Sequence, residues 1–400
     1  AEAGVNHNGD VKLALRLCEA ARDAGADAVK FQTFRAQDLV VPGAPTAAYQ
    51  SRQTGDQDQY AMLQRLELNE SQHRQVKTHC DAIGIEFFST PFSLPAVDLL
   101  VGLGVKRLKL SSGELTHRAL VEHAAATQLP LLMSTGMATM DEIVEAVGWA
   151  QSARGHLRDV VVLHCTSAYP AADETLNLTA MHEMARRLGL PIGYSDHSLG
   201  IEAPLAAVAL GATVIEKHLT LDCAMTGPDH SASLEPELFA RMVQGIRRVS
   251  AMRGDGVKAP RPDERETARV ARRSVVAGVD LQAGETLAVE MLVCRRPATG
   301  IAPRDLPLLA GRRMARAVPA GEGHVGVTML EEGLLVGRFL GRRSAEAFEA
   351  AGFTVWPAPT AHVLNRDPDK NALPSLPGMR SAYAGWYASH EWLGLLGMLA

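Results

Sequence analysis

Short apolar runs alternate with longer amphipathic stretches along the first 254 residues, and each run ends in polar positions. The runs predict strands at Ala1–Gly4, Ala26–Gln32, Ile85–Ser89, Val105–Leu110, Pro130–Ser134, Val160–His164, Pro191–Tyr194 and Thr213–Lys217. Between them, helical spacing recurs over Val11–Ala24, Ser71–Ile83, Leu94–Leu103, His117–Thr127, Met140–Ala150, Leu178–Leu188, Ile201–Leu210 and Pro236–Met252. Gly25 and Gly211 open similar helix-to-strand corners. About eight strand–helix units over roughly 250 residues predict an α/β fold, a (β/α)8 TIM barrel. A doubly wound open sheet is the rival, but it rarely uses so many evenly spaced parallel strands.

A barrel carries its chemistry at the C-terminal ends of its strands, and the residues there are polar in nearly every case. Glu2, Asn6 and His7 follow the first strand, Lys30 and Gln32 end the second, and Ser89 and Thr90 the third. Lys109, Ser112 and Glu114 come after the fourth, Ser134 the fifth, and His164, Ser167 and Tyr169 the sixth. His197 and His218 each sit just past an apolar run, so one sheet edge would hold both. Two neutral imidazoles there, with Asp196, Glu216 and Asp229 nearby, could hold a divalent metal. Lys30 and Lys109 lie within apolar strands, where an unpaired ammonium is costly. Either a ligand anion or internal carboxylates (Glu2, Glu114 or Glu216) must accompany them. Thr90, Ser112, Ser134, Ser167 and Ser195 beside two lysines describe a cradle for phosphate and carboxylate. No GxxxxGK[ST] loop occurs, so this is not a P-loop nucleotide site.

Composition narrows the class. The chain has 400 residues with a formal net charge of −5, which leaves no basic excess for nucleic acid. Five scattered cysteines without a CxxC pair fit reduced thiols in a cytoplasm better than a disulfide framework. No apolar run reaches the roughly 18–20 residues of a membrane span, and no signal peptide is visible. The opening Ala1-Glu2-Ala3, without Met, suggests that part of a first strand precedes it.

The barrel is assigned to residues 1–254 and a charged, proline-rich linker to 255–271. Residues 272–332 read as a small β domain, with strands at Ser274–Val279, Leu287–Val289 and Leu292–Arg295 between Gly/Pro corners. Arg296, before Pro297, is its notable side chain, with plain solvent exposure the competing reading. The tail, 333–400, reads as a helix, a glycine stop, a strand and a loop at 365–370. One helix and one strand cannot bury their own apolar faces, so the tail must dock, pair elsewhere or stay partly disordered.

Nine segments carry a family resemblance: AEAGVNHNG (1–9), DAVKFQTF (27–34), FFSTPF (87–92), KLSSGE (109–114), STGM (134–137), LHCTSAYP (163–170), GYSDHSLG (193–200), IEKHLT (215–220) and GPDH (227–230). In this order the sequence resembles the bacterial sialic acid synthases, and CRRPATGI (294–301) resembles the motif of their antifreeze-like (SAF) domain. The resemblance implies a metal-dependent condensation of phosphoenolpyruvate with an N-acetylated hexosamine such as N-acetylmannosamine, giving N-acetylneuraminic acid and phosphate. It implies that His197 and His218 hold Mn²⁺ or Mg²⁺, and that Lys30, Thr90, Lys109, Ser112, Ser134, Ser167 and Ser195 hold phosphoenolpyruvate. Glu2, Tyr169, Glu114, Asp229 and Arg296 then lie near sugar and metal, with Arg296 supplied by the partner of a domain-swapped homodimer. Glu114 is the candidate for proton transfer, because a carboxyl in such a site can be tuned towards neutral pH; a salt bridge to Lys109 is its other role. Ser111 departs from the family pattern, where glycine or proline is common. A legionaminic or pseudaminic acid synthase is the near alternative, and a non-catalytic sugar- or partner-binding protein the remote one. The tail resembles the end of YdcF/ElyC-type envelope proteins, which implies a fusion fragment.

Overall fold

The computed structural model describes residues 1–298, 300–314 and 316–321, with four short strands at 328–329, 334–337, 354–357 and 362–365. Its contacts divide into two units, Ala1–Val257 and Lys258–Ala400.

In the first unit eight parallel strands pair in chain order: β1 (Glu2–Gly4), β2 (Ala28–Thr33), β3 (Glu86–Pro91), β4 (Leu108–Leu110), β5 (Leu131–Ser134), β6 (Val160–Cys165), β7 (Ile192–Asp196) and β8 (Ile215–Lys217). A parallel bridge from Glu2 to His218 joins the last strand to the first, so the sheet closes into the expected barrel. Helices α1 (Val11–Asp23) to α11 (Pro236–Arg253) belong to this unit. Their ends follow local chemistry: Asp10 accepts from the Lys12 amide at the start of α1, and Gly84 takes the left-handed stop of α5 (Glu70–Ile83). Phe31, Leu108, Leu110 and Tyr194 point outward into a core shared with Leu17, Leu100 and Leu120. Each such buried side chain contributes about 1.5–3 kcal/mol. Inside the barrel, Phe88, Leu132 and Leu163 form a separate apolar plug.

Three elements were not foreseen: α2 (Ala36–Leu39), α3 (Ala48–Thr54) and α4 (Gln59–Leu66) lie between β2 and α5. The stretch is rich in Gln, with Asp, Thr and Pro scattered through it, and shows little apolar periodicity. Tertiary contact supplies the order, since Met62 and Leu66 pack on Val5 and Phe34 while Asp58 caps α4 through the Tyr60 amide.

In the second unit, the stretch read as linker holds α12 (Glu264–Ala271); the prolines end at Pro262, and good helix formers with Glu264 and Glu266 in the first turn follow. The antiparallel pair β9 (Ser274–Ala277) and β10 (Leu292–Arg295) covers a small core of Val275, Leu281, Leu287, Leu309 and Met314. The strand expected at Leu287–Val289 is absent: Leu287 turns into that core and Val289–Met291 is a 3₁₀ turn. Strands β11 (Thr328–Met329), β12 (Leu334–Gly337), β13 (Thr354–Pro357) and β14 (His362–Asn365) form one antiparallel sheet. The tail helix, most of the 365–370 loop and the last thirty residues lie outside the described residues. Among the described residues no helix is long and apolar enough to cross a membrane.

Beneath β1, His7 is 1% exposed and its Nδ1 accepts from the Gly9 amide at 3.0 Å. Burial, with help from nearby His73, lowers its pKa from 6.5 to about 4. The fold therefore favours neutral His7, so its contribution is complete above pH 6.5 and disappears as pH falls towards 4. The loss amounts to about 3 kcal/mol. Urea midpoints measured across this window should drop in the parent and drop less in His7→Gln; parallel curves would remove His7 as the cause.

Candidate active site

Alternate residues on a barrel strand face the axis, and this rule sorts the site. Lys30, Thr90, Lys109, Ser134, Ser195 and Glu216 line the floor of a cavity of about 510 Å³, with Ser112, Ser167, Tyr169, His197, His218 and Asp229 nearer its mouth. Their strand neighbours Phe31, Leu108, Met133, Tyr194 and Lys217 are buried on the other side. His164 belongs to that outer set: it stacks on Tyr194 and contacts the Leu176 carbonyl at 2.7 Å, away from the cavity.

The floor carries two cations and two anions. Lys30 pairs with Glu2, donates to Thr90 Oγ1 at 3.0 Å and lies 4.0 Å from Glu216. Lys109 donates to Glu216 Oε1 at 2.9 Å, and Ser195 Oγ donates to the same oxygen at 3.0 Å. Both lysines thus have internal carboxylate partners at the cavity surface. Burial opposes charge on Glu216, but Lys109 and Lys30 outweigh it and hold its pKa well below the ordinary carboxylate value. Glu2 goes the other way: burial dominates the help from Lys30 and its pKa is raised. Burial, reinforced by Glu2, likewise lifts Asp229 to about 6.

One part of the cavity is short of partners. Ser134 Oγ is buried with no hydrogen bond, and Ser112 Oγ accepts from the Gly136 amide at 2.9 Å. A Cβ at position 136 would collide with Ser167 Oγ and come within 2.9 Å of Ser112 Oγ, so only glycine leaves these two hydroxyls in place.

At the mouth the His197 and His218 ring centroids lie 5.3 Å apart, with Tyr169 4.1 Å from the first and 5.8 Å from the second. His197 Nδ1 is 2.8 Å from the Thr166 carbonyl, which assigns the proton to Nδ1 and leaves Nε2 a lone pair. Burial works against charge on His197, yet the Cys165 thiol, 3.7 Å away, and the Thr166 carbonyl raise its pKa. Burial and the neighbouring His197 push His218 well below 6.5, so it is neutral. Its Nδ1 is buried without a hydrogen bond, 3.9 Å from Asp229. Among the described residues no three such side chains converge on one point, but two imidazoles with one ring nitrogen left orphaned could together hold a divalent cation.

Other expectations fare differently. Glu114 lines the cavity, but its carboxylate contacts His117 at 2.9 Å; Lys109 is taken by Glu216, which corrects the salt-bridge reading of Glu114. Asn6 is used structurally, donating to the Leu219 carbonyl and Ser233. Arg296 is exposed on the second unit. Glu216, expected both near the histidines and as a lysine partner, lies two residues before His218 and so on the same strand face, where it pairs with Lys109.

Comparison with known proteins agrees with the fold. The NeuB family profile matches residues 17–258 and the SAF domain profile residues 272–323. The N,N'-diacetyllegionaminic acid synthase of Legionella pneumophila is 45% identical over 324 residues, 80% of this chain and 91% of that protein. The synthase of the same name from Campylobacter jejuni is 44% identical, covering 75% and 90%. The solved N-acetylneuraminic acid (sialic acid) synthetase of Leptospira borgpetersenii, in complex with citrate, matches with a TM-score of 0.59 at 35% identity, over 67% of this chain and 88% of that one. The chain thus belongs to the NeuB family, the sialic-acid-type synthases, with an SAF domain after its barrel.

Proposed function

We propose that the protein condenses phosphoenolpyruvate with a hexosamine bearing two acetamido groups, giving a legionaminate-type nonulosonic acid and phosphate in a metal-dependent reaction. The observation that carries the donor half is the buried pair Lys30 and Lys109 beside the unpartnered Ser134 hydroxyl and the Gly136 opening. A three-carbon anion with a phosphate fits that floor, its charge meeting two ammonium groups and its phosphoryl oxygens the hydroxyls. His197 and His218 would hold Mn²⁺ or Mg²⁺, which would supply Lewis-acid chemistry to a carbonyl at the cavity mouth. C3 of phosphoenolpyruvate forms the new bond to the aldehyde carbon, water adds at C2, and phosphate departs with C–O cleavage. Glu114, Glu2 and Asp229 are the cavity carboxyls assigned to the proton transfers, and the pKa of Asp229, raised to about 6, suits it to hold one.

The acceptor half rests on the wall built by α2 to α4. Leu39, Val40, Met62 and Leu63 present apolar surface to the cavity, with Gln50 and Gln59 among them. Acetamido groups want this combination, a methyl against apolar carbon and an amide against an amide. N-acetylmannosamine, the first expectation from sequence, has one such group; the two legionaminate relatives support the doubly acetylated choice. We further propose the domain-swapped homodimer, with Arg296 of one chain serving the other chain's cavity. Mixing His218→Ala and Arg296→Ala chains should then restore activity that neither has alone.

The central experiment measures phosphate release from phosphoenolpyruvate and Mn²⁺ with a singly or a doubly N-acetylated hexosamine. Release should require sugar and metal, stop with EDTA, and proceed with higher kcat/KM on the doubly acetylated sugar. Preference for N-acetylmannosamine would return the acceptor to the neuraminate branch; no release with any sugar would end the synthase reading.

A further inference from the structure

His197 and His218 are each preceded by a residue facing the opposite side of the sheet, Asp196 and Lys217, and these two are register partners across β7 and β8. Their side chains are fully buried and paired, Lys217 Nζ to Asp196 Oδ2 at 2.5 Å. Lys217 also donates to the Ser198 carbonyl, just beyond His197. Asp196 Oδ1 accepts from Tyr194 Oη at 3.0 Å, the Ser198 amide at 3.0 Å and Ser198 Oγ at 2.8 Å. Every one of these bonds ties a residue next to one histidine to β7, β8 or both, while neither Asp196 nor Lys217 lines the cavity.

A buried ion pair is a poor source of stability, because desolvation consumes most of its Coulombic gain. Two apolar residues would fill the same place between sheet and helices at similar or lower free energy. What they could not do is fix the spacing of two strand ends by directional bonds. The opposite faces of these strands hold the imidazoles, so a slip of β7 along β8 changes the distance between the rings. Downstream, the His197 carbonyl accepts from Ala171 and the His218 carbonyl from Leu234, at 2.9 Å each, which holds each strand to a different neighbour rather than to each other.

We infer that Asp196 and Lys217 form a positioning clamp that sets the separation and aim of His197 and His218, and so the affinity of the site for its divalent cation. The inference rests on the metal reading above. Charge removal at the clamp acts on the cation without touching it, as changes around metal ligands commonly do, by about 10–100-fold.

The test is Mn²⁺ titration followed by the electron paramagnetic resonance of free Mn²⁺, beside thermal unfolding of the metal-free chains. The double variant Asp196→Asn/Lys217→Met removes both charges together and avoids stranding either. It should melt near the parent and bind Mn²⁺ about 10–100-fold more weakly. Lys217→Arg, which keeps the pair, should bind more tightly than Lys217→Met. Asp196→Asn/Lys217→Leu, which keeps the acceptor for Tyr194 and Ser198 and likewise strands no charge, serves if the first double variant does not fold, and its affinity must fall too. A folded variant with the parent's Mn²⁺ affinity overturns the clamp while the metal site stands. A parent that binds no Mn²⁺, or binds it equally after His218→Ala, overturns both.

Discussion

His218→Ala is expected to lower phosphate release about a thousandfold or more while leaving the barrel folded. The magnitude follows from the several kcal/mol that a Lewis acid contributes to charge stabilisation at a carbonyl. The folding half follows from the residue's surroundings. His218 Nδ1 is a buried nitrogen without a hydrogen bond, so truncation removes an unsatisfied group and leaves the backbone bond from the Leu234 amide in place. Because burial and His197 keep His218 neutral, it offers its lone pair at pH 7 without first losing a proton. Circular dichroism, a Mn²⁺ titration and a phosphate assay on the same sample check all three parts. Activity within tenfold of the parent, on a properly folded chain, would remove His218 from the chemistry.

The site was legible where strand alternation and chemistry coincide. Lys30 and Lys109 stood out because ammonium groups are rare inside apolar runs, and the structure puts both on the barrel floor. Alternation also decides against His164, which one extra residue of phase turns to the helix side. The pairing of Lys109 with Glu216 rather than Glu114 was out of reach, since it depends on β4 and β8 meeting across the barrel interior, 107 residues apart in sequence. Helices α2 to α4 were missed for a related reason. Their order comes from Met62 and Leu66 finding Val5 and Phe34, a long-range contact that local propensity does not encode. The features out of reach are thus non-local ones: the charge balance of the floor and the apolar wall beside it.

The second large effect concerns that charge balance. Lys109→Met should abolish phosphate release and also destabilise the barrel by about 3–5 kcal/mol, the cost of leaving one partner of a buried pair alone. Glu216 would keep Ser195 at 3.0 Å and Lys30 at 4.0 Å, but Lys30 is already committed to Glu2. In the parent, pairing holds Glu216 below the ordinary 4.5, so its contribution is complete above that pH and is lost as pH falls further. Lys109→Met should lose most of this contribution at neutral pH, and its urea midpoint should vary less with acid. The double variant Lys109→Met/Glu216→Gln separates the two roles of the lysine. With both charges gone, the amide still accepts from Ser195, and most of the stability should return. Catalysis should not, because the donor's carboxylate and phosphate would face one ammonium instead of two. Urea unfolding and phosphate release measured on parent, single and double variants decide it: a double variant that regains turnover along with stability would mean that Lys109 serves only Glu216 and never the substrate.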